Sequence, residues 1–369
     1  MTWFNTLDEA ARIAVPGEDI SLAELQLAAR NHGMPLEALQ YDLTPSGLHY
    51  LLVHYDIPII DPASWQLRII GRVDRELTLS LAALRALPRR TIPVTIECAG
   101  NSRARLSPRP ISQPWLNEAV GTAEWTGTPL AAVLAEAGTL PDAVDVGFTG
   151  ADHGIERGVE QDYARGLTLA DALADDVLLV DEMNGAPLPP QHGAPVRLVV
   201  PGWYGMAHVK WLRQIEVLDR PFDGFQNVTA YRLKQADESG DPVTRIRPRA
   251  LMVPPGFPDF MSRIRVVTTG QVLLAGRAWS GHGQIARVEV STDAGVSWND
   301  SDLGPSQGRW AWRSWSFPWQ ATSPGPTELW CRATDERGNS QPDGQQWNRQ
   351  GMANNMIQRI QVIVRDPGE

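Results

Sequence analysis

Cys98 is the residue of this chain best placed for covalent or metal chemistry. It follows the β-branched run TIPVTIE and opens the loop Cys98-Ala99-Gly100-Asn101, so the thiol stands where a strand gives way to a flexible turn. Close by in sequence lie Arg89, Arg90, Arg103, Arg105 and Arg109. Such a positive field favours the thiolate, the form that is both nucleophile and metal ligand, and it can hold an anion. The plain alternative is a buried cysteine packed as a small hydrophobe. A nucleophilic cysteine needs an orienting imidazole; His54, His192 and His208 are all distant in sequence, which leaves nucleophile and metal ligand both open.

A second basic cluster runs from Gln191-His192-Gly193 through Arg197 and Gly205 to His208 and Lys210. Glycine-containing turns offer backbone N–H groups which, with Arg and Lys, make a phosphate cradle. No GxxxxGK[ST] or GxGxxG follows a strand-like segment, so mononucleotide and dinucleotide folds have little support.

The rest of the sequence bounds the setting. Its 369 residues predict two or three domains with ample core, and 43% hydrophobic with 21% charged residues is an ordinary globular composition. A net charge of −10 argues against a nucleic-acid partner. Two cysteines make neither a disulfide framework nor a cysteine-based zinc site, and Cys331, mid-strand in TELWCRATD, reads as core. The start MTWFNTLDEAARIAVPG has no signal-peptide pattern and no window approaches 18 apolar residues, so no membrane partner is expected. The expected location is the cytoplasm, or the periplasm if an export leader precedes.

Three segments must position these groups: an N-terminal arm over 1–45, an α+β domain over 46–244 and a β-rich domain over 245–369. In the arm, SLAELQLAAR predicts a helix with Ser21 and Glu24 as a capping box. In the middle domain HYLLVHY, WQLRIIGRV and TIPVTIE read as strands, and Ser80 caps a short helix. Thr128-Pro129 starts LAAVLAEAG, Thr168 starts another helix, and Asn184-Gly185 marks a turn after VLLVDEM. The segment 239–260, rich in Pro and Arg, reads as the linker. Beyond it QVLLAGRAW, IARVEVS, RWAWRSWSF, TELWCRATD and IQRIQVIV predict a β-sandwich. In IARVEVS, Ala286, Val288 and Val290 alternate with Arg287 and Glu289, as in a sheet with one solvent face. Eight of the fourteen Trp fall in this last domain, which suits a core plus a sticky interface.

From about residue 44 to 364 the chain resembles the sulfite oxidase family of molybdenum-cofactor enzymes. The likeness rests on CAGNSR at 98–103, GTAEWTGTPL at 121–130, DEMNGAPLPPQHGAPVRLVVPG at 181–202, HVKWL at 208–212, GRAWSGHGQIARVEVSTDAGVSW at 276–298 and WNRQGMANN at 347–355. It implies a mixed α/β molybdopterin-binding domain, then an immunoglobulin-like sandwich that mediates homodimerisation. It implies Cys98 as the thiolate ligand of molybdenum, and His54, Asp152, His192, Arg197 and Lys210 around the pyranopterin or its phosphate. Arg103, Trp115 and Tyr231 fall at substrate-pocket positions. Leu52 and Gln350 stand where sulfite enzymes carry arginines, with Arg349 beside the latter, and Ala230 stands where an acid precedes the Tyr. The implied reaction is two-electron oxo transfer between Mo(VI) and Mo(IV), on sulfite or a related small anionic or polar sulfur compound. No CxxCH motif is present and no haem is expected, so electrons pass to a separate acceptor such as a cytochrome c. Two other readings remain: a reductase of sulfoxides or other S- or N-oxides on the same cofactor, and a cofactor-free interaction protein built on the sandwich.

Overall fold

The computed structural model describes residues 12–235 and 239–368. Of the expected arm, residues 1–11 lie outside the described residues. Helix α1 (Leu22–Arg30) carries the capping box on Ser21 and Glu24. Its amphipathicity is inverted: Glu24 is buried against Arg109 while Leu22 and Leu25 face outward. The arm lies on the middle domain through backbone bonds from Met34 to Glu118 and from Thr44 to Thr122.

Two sheets build the middle of the chain. One contains β1 (Gln66–Gly71), β2 (Leu77–Ser80), β5 (Asp145–Glu156), β6 (Val159–Thr168) and β10 (Leu212–Leu218), in the order β2-β1-β10-β5-β6. Only β1 and β10 pair in parallel there. The other contains β3 (Arg90–Glu97), β4 (Val120–Pro129), β7 (Leu178–Met183), β8 (Ala186–Pro187) and β9 (Arg197–Val199). Asn184 and Gly185, with φ of 52° and 73°, make the predicted two-residue hairpin between β7 and β8. Short helices α2 (Leu81–Arg85), α3 (Leu130–Ala137) and α4 (Leu169–Ala172) connect the strands; Ser80 and Thr168 cap α2 and α4. Thr128 does not cap α3: its hydroxyl bonds the Leu84 carbonyl, and Pro129 occupies the cap position. HYLLVHY is not a strand. Only Leu51 bridges, to His32, because the segment's backbone and side chains face clefts instead of a sheet neighbour.

The remaining strands form a two-stranded ribbon and two larger sheets. The ribbon is β11 (Arg232–Leu233) with β12 (Asp241–Pro242). One larger sheet is β13 (Arg249–Met252), β16 (Gly270–Trp279), β20 (Arg313–Ala321) and β19 (Asp302–Leu303). The other runs β14 (Phe257–Pro258), β15 (Arg265–Thr268), β22 (Gln358–Arg365), β21 (Gly325–Asp335), β17 (Ile285–Ser291) and β18 (Asn299–Asp300). Their shared core holds Leu274, Val288, Val290, Trp315, Trp319 and Cys331.

Three expectations change here. The expected linker contains β12 and β13, and Arg249 on β13 is buried because its charge is met by Glu97 of the middle domain. In β17 a register shift between Ile285 and Arg287 turns Ala286 outward, and Glu289 is buried between Arg287 and Arg332. Trp279 and Trp312 serve neither the sandwich core nor an outer surface; they pack into the core of the middle domain.

Candidate active site

The Cys98 loop is held by a buried polar network drawn from both halves of the molecule. The Cys98 N–H donates to the Ala119 carbonyl, and Asn101 ties back to Glu97 and to residues 117 and 119. Glu97 forms an ion pair with Arg249 at 2.8 Å, the two side chains only 1% and 2% exposed, and accepts from Trp279 Nε1 at 2.8 Å. Arg249 also donates to the Ser102 hydroxyl, Asn354 donates to the Ser102 carbonyl, and the Ala353 N–H donates to Ala99. Ser102 takes the left-handed conformation, φ 68°, that turns the chain toward Arg103.

This loop places Cys98 on the shared wall of two adjoining clefts. The first, with about 680 Å³ of empty space including its mouth, is lined by His54, Asp152, His192, Arg197 and Lys210 together with Cys98. The sequence thus located one cleft from residues spread over more than 150 positions. His49, Tyr50, Tyr163 and His208 add further polar side chains to the lining, and Leu52 and Tyr231 face both clefts. His49 and Tyr50 were hidden inside an expected strand; in the fold the His49 ring packs on Gly121, where a Cβ would meet it at 2.5 Å. The second cleft is lined by Arg103, Trp115 and Tyr231, with Leu52, His54, Arg157 and Gln350. Every predicted site residue lies in one cleft or both.

The expected arginine field around the thiol is not assembled. Arg89 pairs with Asp181 and Glu182, Arg90 donates to the Asp175 carbonyl, and Arg109 pairs with Glu24. Arg105 lines a separate groove. Of the five, only Arg103 lies beside Cys98 in the site clefts. Burial pushes the Cys98 thiol up, opposed by the Arg103 charge, the Gly100 N–H and Trp115. The Trp115 indole N–H makes no aligned hydrogen bond among the described residues and remains available.

Among the described residues, the first cleft buries Arg197 and Lys210 without an ion-pair partner, Asp152 acting on Lys210 only from longer range. Arg197 is 6% exposed; its guanidinium donates to the His192 and His208 carbonyls and lies 5.0 Å from the centre of the Trp125 ring. Lys210 donates to the Leu52 and Gln191 carbonyls. Among the described residues neither has a carboxylate within ion-pair distance. Burial, with the Arg197 charge second, pushes Lys210 down to about 7, and burial pushes Arg197 down to about 10. Burial and neighbouring positive charges likewise hold His192 at about 2 and His208 at about 3. Burial lowers His49 to about 4 even though hydrogen bonds partly oppose it. Asp152 is the one carboxylate lining this cleft, raised to about 6 by burial against the pull of His54 and Lys210.

Desolvated basic groups of this kind are costly unless an anion answers them. Among the described residues His49 Nε2, Arg197 Nε and Asp152 Oδ1 are buried without hydrogen-bond partners. Because His49 Nδ1 donates to the Tyr50 carbonyl at 3.0 Å, its Nε2 is an acceptor, so one donor and two acceptors are left open in a basic cleft; they fit a ligand with a phosphate and a hydrogen-bonding ring system, and the thiol at the far wall fits a soft metal. The molybdopterin group carries these features, so the residues present fit it.

In the second cleft Arg103 is 6% exposed and donates to the Gln350 and Gln113 carbonyls. Its guanidinium lies against the Gly100 backbone, where a Cβ would meet it at 2.6 Å. Tyr231 is buried, and burial pushes its phenol far above the ordinary range. Arg165, held by the Gln226 and Val243 carbonyls, lies over the Tyr231 ring at 5.6 Å and positions it. His54 Nε2 is 3.6 Å from Glu156. Burial pushes Glu156 up, but His54, Gln226 and Arg157 more than offset this and hold it at about 2.

A sheet-rich frame that buries one thiol between a cleft rich in buried basic groups and a second pocket holding Arg103 is that of a cofactor-dependent oxidoreductase. Residues 54–226 match the family model of the oxidoreductase molybdopterin binding domain, and residues 258–365 match the Mo-co oxidoreductase dimerisation domain. The chain is 35% identical over 344 residues to the sulfite oxidase of Gallus gallus, covering 84% of this chain and 71% of that one. It is 33% identical over 353 residues to the mitochondrial sulfite oxidase of Homo sapiens, covering 87% of this chain and 62% of that one. Its fold matches the crystal structure of the sulfane dehydrogenase SoxCD from Paracoccus pantotrophus with a TM-score of 0.79 at 25% identity, over 95% of this chain and 87% of that one. The chain belongs to the sulfite oxidase family: it is a molybdenum-molybdopterin oxidoreductase with the family's dimerisation domain, not a cofactor-free interaction protein.

Proposed function

We propose that this enzyme oxidises a small sulfur oxyanion, sulfite first among them, and passes the electrons to a separate acceptor, a cytochrome c being the candidate. The observation that carries the reading is the position of Cys98 between the two clefts, with Arg103 facing it and, among the described residues, free of any carboxylate partner. When bound, the cofactor supplies two-electron oxo transfer at molybdenum. In this reading the Cys98 thiolate holds the metal, and His54, Asp152, His192, Arg197 and Lys210 hold the pterin and its phosphate. Arg103 draws in and orients the substrate anion. Trp115 supplies an unused indole N–H. Tyr231 stays protonated at neutral pH and can donate its O–H. A neutral Leu52 and Gln350 reduce the positive charge available, so sulfite would bind weakly for this family.

We place the catalytic domain at 46–244 and the dimerisation domain at 245–369, and read the two C-terminal sheets as an immunoglobulin-like sandwich. The apolar wall of Leu52, Val53, Ala230 and Met352 favours a second reading, reduction of a neutral sulfoxide. Steady-state assays of cofactor-loaded enzyme separate the two: sulfite with ferricyanide against dimethyl sulfoxide with reduced viologen. Saturable sulfite oxidation is the expected result; sulfoxide reduction without it would overturn the oxidase reading.

A further inference from the structure

Arg157 is a basic residue in the substrate cleft that the sequence did not single out. It sits at the tip of the β5–β6 hairpin and lines the same cavity as Cys98, Arg103, Trp115 and Tyr231. Its Nε is buried without a hydrogen-bond partner, and among the described residues its guanidinium has no carboxylate within ion-pair distance. The adjacent Glu156, which lines the same cleft and feels the Arg157 charge from beyond ion-pair distance, is engaged at 3.6 Å by His54 and at 2.8 Å by Gln226 Nε2, so the Arg157 donors stay unused. A half-buried guanidinium in that state has unused donors in a forked geometry suited to an oxyanion.

The backbone adds a second, independent observation. Arg157 and Gly158 have φ of 51° and 74°, the two-residue mirror-image turn in which the first position favours Asn, Asp or Gly. An arginine there holds a left-handed conformation that disfavours its Cβ. Such outliers persist at sites of function. The turn would close more easily on Asn, so the guanidinium itself is the feature gained by keeping Arg.

We infer that Arg157 is a second anion-binding residue of the substrate pocket, acting with Arg103 to set preference for an oxyanion. The inference rests on the oxidase reading above. With Leu52 and Gln350 neutral, Arg157 supplies a second positive charge in the cleft from another part of the chain.

The test compares cofactor-loaded wild type, Arg157→Gln, Arg157→Lys and Arg157→Asn. The readouts are KM and kcat for sulfite, the calorimetric Kd for sulfate, which is not turned over, and the unfolding midpoint. Arg157→Gln is expected to raise KM and the sulfate Kd about tenfold at low salt, the scale of one partly screened charge-assisted contact. Most of the change falls on KM and not on kcat, and Arg157→Lys recovers part of it. Arg157→Asn is expected to lose anion affinity while its unfolding midpoint stays level or rises, which a merely structural arginine would not show. A wild type that turns over sulfite with an Arg157→Gln variant matching it in KM and sulfate Kd would overturn this assignment alone. A wild type that neither turns over sulfite nor binds sulfate would overturn the oxidase reading and this inference with it.

Discussion

Replacing Arg249 by Met tests how the second half of the molecule holds the metal-binding loop. The guanidinium pairs with Glu97 at 2.8 Å and donates to Ser102 Oγ at 2.9 Å and to the Asn354 carbonyl. Removal leaves the Glu97 carboxylate, 1% exposed, with only Trp279 Nε1 at 2.8 Å and Asn101 Nδ2 at 3.1 Å. Breaking a buried pair by deleting one partner costs about 3–5 kcal/mol, because an uncompensated charge remains. Glu97→Gln in the same background removes that charge and is expected to recover at least half of the loss. Urea unfolding followed by tryptophan fluorescence reads the stability, and molybdenum content reads the loop, since the Ser102 hydroxyl loses its bond to β13 and the Asn354 carbonyl loses its donor. A single-variant loss below about 1 kcal/mol, or a double variant as unstable as the single one, would refute the idea that this pair is the buried link.

Other outcomes follow from the same structure. Burial holds His49, His192 and His208 at about 4, 2 and 3, so they stay neutral in the fold, whereas the unfolded chain takes up protons below about 6.5. The unfolded state then binds more protons, and cofactor-free protein should lose roughly 1 kcal/mol per histidine for each pH unit between 6.5 and 5. The anionic cofactor should flatten this dependence; an unfolding midpoint indifferent to pH in the cofactor-free protein would count against buried neutral histidines. Leu52 lines both clefts. Leu52→Arg should lower the KM for sulfite roughly tenfold, the worth of a charge-assisted contact; an unchanged KM would show that the substrate lies elsewhere. Cys331 is fully buried in the second domain, its sulfur 3.6 Å from the Ala250 carbonyl. Cys331→Ala should retain turnover in the ferricyanide assay, and its loss would mean that this thiol serves the site.

Local signals were legible where chain neighbours decide the outcome. The Ser21–Glu24 box, the Asn184-Gly185 turn and the strand entering Cys98 depend on residues a few positions apart. The site residues were legible through motif order, which carries the pairing of distant segments. Charge was the poorest guide. Five arginines near Cys98 in sequence suggested one field, but carboxylates arriving from Glu24, Asp181 and Glu182 claimed two of them. The same blindness hid Arg249 inside an expected linker and Arg157 at a hairpin tip, because sequence spacing does not show which carboxylate a cation will meet. Glu289 is buried in β17 for the same reason, with arginines on its own and the neighbouring strand.

The central claim, that Cys98 binds molybdenum at the wall between the two clefts, is tested most directly by X-ray absorption at the molybdenum edge. The spectra to compare are those of wild type and Cys98→Ser, purified from a host that makes the cofactor. Near-stoichiometric molybdenum in wild type, with one sulfur fewer around the metal in the variant and turnover lost, is the expected result. An identical sulfur shell in both proteins, or wild-type protein without molybdenum, would contradict it.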